Sequence, residues 1–150
     1  MYQILLIIHS ILRYVFLFSA FYAIYLAVSG WQSKLPYTAK DNKASVFLIL
    51  FTHTQLVIGL LLYFIYSPYT ATPMKEAMKD PVLRFWKVEH ITMMIIAAVI
   101  IQVGRILSKK STTDLAKHKK AAIFYIIGLL LVLSSIPWPF SQVARPWFRF

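Results

Sequence analysis

Three of the four histidines in this 150-residue chain, His9, His53 and His90, lie inside long apolar runs. An imidazole surrounded by hydrocarbon must find a hydrogen-bond partner, a metal or a proton path, because lipid offers neither water nor counter-charge. His9 and Arg13 are four residues apart, so on a helix they project from one face. Glu89 and His90 are adjacent in a second apolar run, with Arg84 and Lys87 just before them. Together these residues supply two imidazoles, two or three cations and a carboxylate. Neutral imidazole is a good axial ligand for iron, so the set suits a haem b held through His9 and His90 as metal ligands. Arg13 or Lys87 would neutralise propionates, and Glu89 would orient an imidazole N–H or simply pair with a cation.

His53 offers a different chemistry. It stands in Phe51-Thr-His-Thr-Gln55, where Thr52, Thr54 and Gln55 add hydrogen-bonding groups within a run expected to lie in the membrane interior. That cluster suits a quinone carbonyl or a proton relay, with Gln102 as a further partner. On helical rise alone His9 lies about 30 Å and His90 about 22 Å above the inner ends of their runs, so His53 is an equally arguable second ligand. His118 sits among Lys117, Lys119 and Lys120 and is expected to face lipid headgroups. Met74, Met78, Met93 and Met94 are expected to pack rather than ligate.

The elements that must carry these residues follow from composition. The chain is 59% hydrophobic, too apolar for a water-soluble globule of its size. Four runs, residues 2–31, 46–66, 83–103 and 121–140, approach the roughly 20 apolar residues needed to cross a bilayer core. They show no alternation of the kind a lipid-facing strand requires, so helices are predicted. The fold class expected is all-α, a single integral membrane up-down four-helix bundle with its first and third helices diagonal. The first run has no basic segment before it and is too long for a signal sequence, so it reads as a retained span.

The net charge of +11 would suggest nucleic acid in a soluble protein. Here the basic residues flank apolar runs, so anionic lipid is the expected partner and nucleic acid is not. Lys34, Lys40 and Lys43 in the first connection and Arg105, Lys109, Lys110, Lys117, Lys119 and Lys120 in the third share one side. The positive-inside rule makes that side cytoplasmic. Both termini, with Arg145 and Arg149, then lie outside, in the periplasm if the chain sits in a bacterial inner membrane. The chain has no cysteine, which excludes disulfides, thiolate ligands, cysteine-bound iron–sulfur clusters and thioether-attached haem.

The segments His9-Ser-Ile-Leu-Arg13, Phe51-Thr-His-Thr-Gln-Leu-Val-Ile-Gly59, Val88-Glu-His-Ile-Thr-Met-Met94, Lys117-His-Lys-Lys-Ala121 and Ser135-Ile-Pro-Trp-Pro-Phe140 resemble a family of small bacterial four-helix membrane proteins labelled "cytochrome B". More distantly, the chain is similar to one half of haem A synthase, whose ligating histidines lie near the outer ends of two inward-running helices. Its Glu-x-x-His-Arg motif is not reproduced, since Glu89 directly precedes His90. The resemblance implies a haem-binding bundle that passes electrons, with quinone or a respiratory partner subunit as the other party. The alternative is a non-catalytic membrane subunit of a larger respiratory or transport complex. A transporter core is disfavoured by the absence of intramembrane Gly/Pro breaks.

Overall fold

A computed structural model describes residues 1–148. Four helical spans dominate it. They are α1 (Tyr2–Gln32), α2 (Ala39–Leu61) continued by a π-helical turn (Leu62–Tyr66), α4 (Pro81–Arg84) continued through a second π-helical turn (Phe85–Glu89) into α5 (His90–Lys109), and α6 (Asp114–Ser135). A one-turn helix α3 (Met74–Ala77) lies in the second connection. No strand occurs among the described residues. All four spans are long and apolar enough to cross a membrane. The fold is the expected all-α four-helix bundle.

At the end of the bundle opposite the chain termini, the spans reach further than the apolar runs. α2 begins at Ala39, α5 ends at Lys109 and α6 begins at Asp114, so most of the basic residues ride on helical ends rather than in loops. Thr38 is the N-cap of α2, and Asp41 closes a capping box by accepting from the Thr38 backbone N–H at 2.8 Å. Thr113 caps α6 by accepting from the Ala116 N–H at 3.2 Å. At the other end α6 stops at Ser135, two residues before Pro137, because the residue ahead of a proline is pushed out of the helical region. The predicted fourth run extended to residue 140. Its last five residues instead begin a non-helical tail.

Neighbour relations close a ring: α1 packs on α2 and α6, and α5 packs on α6 and, less extensively, on α2. α1 and α5 are therefore diagonal. With no hydrophobic drive between helices in lipid, close packing of small residues must hold them. Ala20, Ala23, Ala27, Ala97, Ala121 and Ala122 form the buried seam, plugged by Leu48, Ile101 and Tyr125. Large apolar side chains such as Phe18, Phe21, Phe47, Leu50, Phe64 and Leu130 point outward, as a bilayer solvent requires.

Arg105 on α5 ties to Asn42 on α2, with its Nη2 2.5 Å from Oδ1. His118 departs from expectation. It is 1% exposed, faces the Tyr37 ring at 5.1 Å between centroids, and neither ring nitrogen has a partner. It does not face headgroups, because α6 starts one turn before it and turns it onto Gly30 of α1. A Cβ at Gly30 would overlap the His118 imidazole. Gly30→Ala is expected to destabilise the bundle by about 1–3 kcal/mol, as overpacking of a filled interior does. Thermal melting in detergent, followed by circular dichroism, checks this.

Candidate functional site

α6 is the shortest of the four spans, and it ends at the level of His90, whose Nδ1 is 2.8 Å from the Ser135 carbonyl oxygen. Above that level the bundle has lost a wall, and a cavity opens between α1, α2 and α5. Its walls include Leu6, His9, Arg13, Phe16, Thr52, Gln55, Gly59, Trp86, His90 and Met94. The cavity volume is about 210 Å³, and the cavity is open at its mouth.

His90 is held in place by its surroundings. A carbonyl only accepts, so Nδ1 must carry the proton and donate, which leaves Nε2 as the ring's lone-pair nitrogen. The acceptor is no accident of packing. The last four carbonyls of any helix lack an intrahelical partner, and Ser135 is the final residue of α6. Phe85 and Trp86 flank the ring at 5.6 and 5.8 Å between centroids. The π-helical turn immediately before His90 inserts an extra residue into the helical register, a feature frequent at functional sites.

His9 lines the same cavity from the diagonal helix, despite the mismatch in helical rise. Its backbone carbonyl accepts from Gln55 Nε2 at 2.9 Å. Its own Nδ1 is buried without a partner. Gly59 lies opposite the ring, where an added Cβ would stand 3.2 Å from His9 Cε1.

The remaining predicted residues divide. Arg13 lines the cavity. Its Nη2 donates to the Tyr14 hydroxyl at 3.0 Å and to the Trp147 carbonyl at 2.9 Å, while its Nε is buried and has no partner among the described residues. Glu89 is corrected: it points outward and accepts from Arg84 Nε at 2.6 Å, so it orients neither imidazole. Lys87 is likewise turned away, donating to the Thr70 carbonyl at 2.7 Å. The π-helical turn that places His90 carries both neighbours off its face, and Tyr63 on the facing π-helical turn donates to the Lys87 carbonyl at 2.8 Å.

His53 is corrected as well, because it is exposed on the lipid-facing side of α2 and does not line the cavity. Its neighbours Thr52 and Gln55 do line it, whereas Thr54 bonds back to the Leu50 carbonyl. Gln102 is not among the lining residues.

Two contributors were missed by sequence reasoning. The Ser135 carbonyl is backbone, and only its position at a helix end distinguishes it. Arg145 enters from the tail, which crosses the mouth and lines it with Pro137, Arg145 and Pro146. Arg145 stacks over the Trp86 ring at 4.7 Å, Trp147 meets Trp138 at 5.5 Å, and Phe148 stacks on Tyr14 at 5.2 Å. The Tyr14 hydroxyl also donates to the Trp147 carbonyl. The available signal was the pairing of Pro137 and Pro139 with a basic, aromatic stretch too short to form another span.

Among the described residues no group of three or more His, Cys, Asp or Glu gathers as a bare metal ion would need. The cavity instead offers two imidazoles from opposite walls. That donor set fits an iron whose four equatorial ligands come from a macrocycle. No family model matches this chain, and neither curated proteins nor solved structures yield a match.

Proposed function

We propose that this protein is a membrane b-type cytochrome that binds haem through His9 and His90 and passes single electrons. The observation that carries this reading is a pair of imidazoles on diagonal helices lining one cavity, one of them fixed by the Ser135 carbonyl with Nε2 left as the lone-pair nitrogen. When bound, the haem iron would supply a one-electron couple. The protein's own contribution is to aim Nε2 of His90, to present His9 from across the bundle, and to line the pocket with Leu6, Phe16, Ile91 and Met94 so that water is kept from the site.

Hydrogen bonding at Nδ1 makes an imidazole a stronger donor through Nε2, which favours the ferric state at His90. The likeness to the small membrane proteins labelled "cytochrome B" points the same way. Thr52 and Gln55 offer polar groups at the inner part of the cavity wall, where a quinone would approach from the bilayer. A partner subunit of a respiratory complex is the alternative electron acceptor. The basic residues on the inner ends of α2, α5 and α6 favour a cytoplasmic inner face, which puts both termini on the periplasmic side of a bacterial inner membrane.

The test is a reduced-minus-oxidised optical spectrum of protein extracted from haem-replete membranes, repeated for His9→Ala, His90→Ala and His53→Ala. Soret and α bands lost or altered in the first two and unchanged in the third support the assignment. Bands that depend on His53 would refute it, and so would a colourless unaltered protein.

A further inference from the structure

We propose that Arg13 and Arg145 form a two-cation clamp at the cavity mouth, and that the cavity's resident ligand is therefore a flat apolar molecule carrying two carboxylates, over which the C-terminal tail closes. The clamp rests on the haem reading for the identity of that ligand.

Both guanidinium groups line the cavity, Arg13 from α1 and Arg145 from the tail. Among the described residues, no Asp or Glu lines it with them. The described ion pairs, Arg84 with Glu89 and Lys117 with Asp114, involve neither arginine. Arg13 spends Nη2 on neutral oxygens and keeps a buried Nε without an acceptor. Arg145 has an aromatic face, Trp86, but no counter-charge among the described residues.

Two arginines beside apolar walls, unopposed by any carboxylate among the described residues, make the cavity mouth strongly positive. Such an arrangement is stable when an anion completes it, and a planar fork suits a carboxylate or a phosphate, of which the haem reading selects the carboxylate. A neutral quinone would leave both charges unanswered. The tail is built to respond to the ligand. Arg13 holds the Trp147 carbonyl and Arg145 stands on Trp86, so the two cations that would grip the ligand are also the two fastenings of the tail.

The experiment uses the full-length protein in detergent, metal-free protoporphyrin IX and its dimethyl ester, with binding read by quenching of tryptophan fluorescence and corrected for partition into protein-free micelles. The diacid is expected to bind about a hundredfold more tightly than the diester, at about tenfold per charge-assisted carboxylate contact. Arg13→Gln and Arg145→Gln should each remove about tenfold of that preference, while Arg13→Lys and Arg145→Lys keep most of it. Arg13→Gln also loosens the tail. Arg145→Gln leaves the Trp147 contacts in place and decides the matter if the first variant fails to accumulate.

Equal binding of diacid and diester by the unaltered protein overturns the clamp, as does a preference that is undiminished in Arg145→Gln. Haemin, added separately, reads histidine ligation. A six-coordinate spectrum with no diacid preference removes the clamp and leaves the ligation. A diacid preference without that spectrum removes the ligation and leaves the clamp.

Discussion

His90→Ala is expected to lower haem content at least about tenfold, whereas His9→Ala is expected to retain haem as a five-coordinate, high-spin species. The asymmetry comes from how each ring is held. His90 donates from Nδ1 to the Ser135 carbonyl at 2.8 Å and is flanked by Phe85 and Trp86, so its orientation and tautomer are set before any ligand arrives. Little entropy then remains to be lost on ligation. Among the described residues the His9 ring has no hydrogen-bond partner, and its position depends on the backbone contact with Gln55 and on the space left by Gly59. Removing the rigid ligand should therefore cost binding, and removing the looser one should change coordination. Haem per polypeptide, from the pyridine haemochrome, and the optical spin state of the two variants check this. Equal loss of haem in both would show that the two rings are equivalent ligands.

Gly128→Leu should leave little assembled bundle, and Gly128→Ala should already cost about 1–3 kcal/mol. α5 and α6 interlock through a reciprocal pair of close approaches. A Cβ at Gly128 would overlap Ile101 Cγ1 and stand 3.0 Å from Ile101 Cδ1 and 3.4 Å from the Ala97 carbonyl oxygen. On the other helix, a Cβ at Gly104 would overlap Phe124 Cβ. Ile101 is 1% exposed and has nowhere to go. It also forms the floor of the cavity, so displacing it would intrude on the site. Leu130, 60% exposed on the same helix, supplies the control: Leu130→Ala should stay within about 0.5 kcal/mol, since its partner is lipid in the native state. Melting temperature and yield of extractable protein distinguish the three variants.

The bundle was legible in the sequence because its solvent is legible. Four long apolar runs broken at Ser67-Pro68 and before Pro137 leave few other arrangements, and the helices follow those breaks. His9, Arg13 and His90 were also recoverable, since polar groups in hydrocarbon demand an explanation and these three line one cavity. Glu89 and Lys87 were misread for a local reason. A regular 3.6-residue periodicity places Lys87 on the face of His90, but the π-helical turn over Phe85–Glu89 inserts an extra residue, and Lys87 instead reaches the Thr70 carbonyl while Glu89 pairs with Arg84.

His53 was misread because composition cannot tell a lipid-facing polar residue from a bundle-facing one. Which face of α2 is inward depends on α1 and α5, and the interior is taken by Leu48, Thr52 and Gln55. Arg145 and the Ser135 carbonyl were invisible because their roles arise from tertiary placement. One needs the tail to fold back over the mouth, and the other needs α6 to end at the depth of His90.

The most direct measurement is the low-temperature electron paramagnetic resonance spectrum of the oxidised protein purified from haem-replete membranes, with His9→Ala and His90→Ala alongside. The account requires a low-spin ferric signal typical of two imidazole ligands, converted to high spin in His9→Ala and absent or much diminished in His90→Ala. A low-spin signal that persists unchanged in both variants, or no ferric haem at all in the unaltered protein, would contradict it.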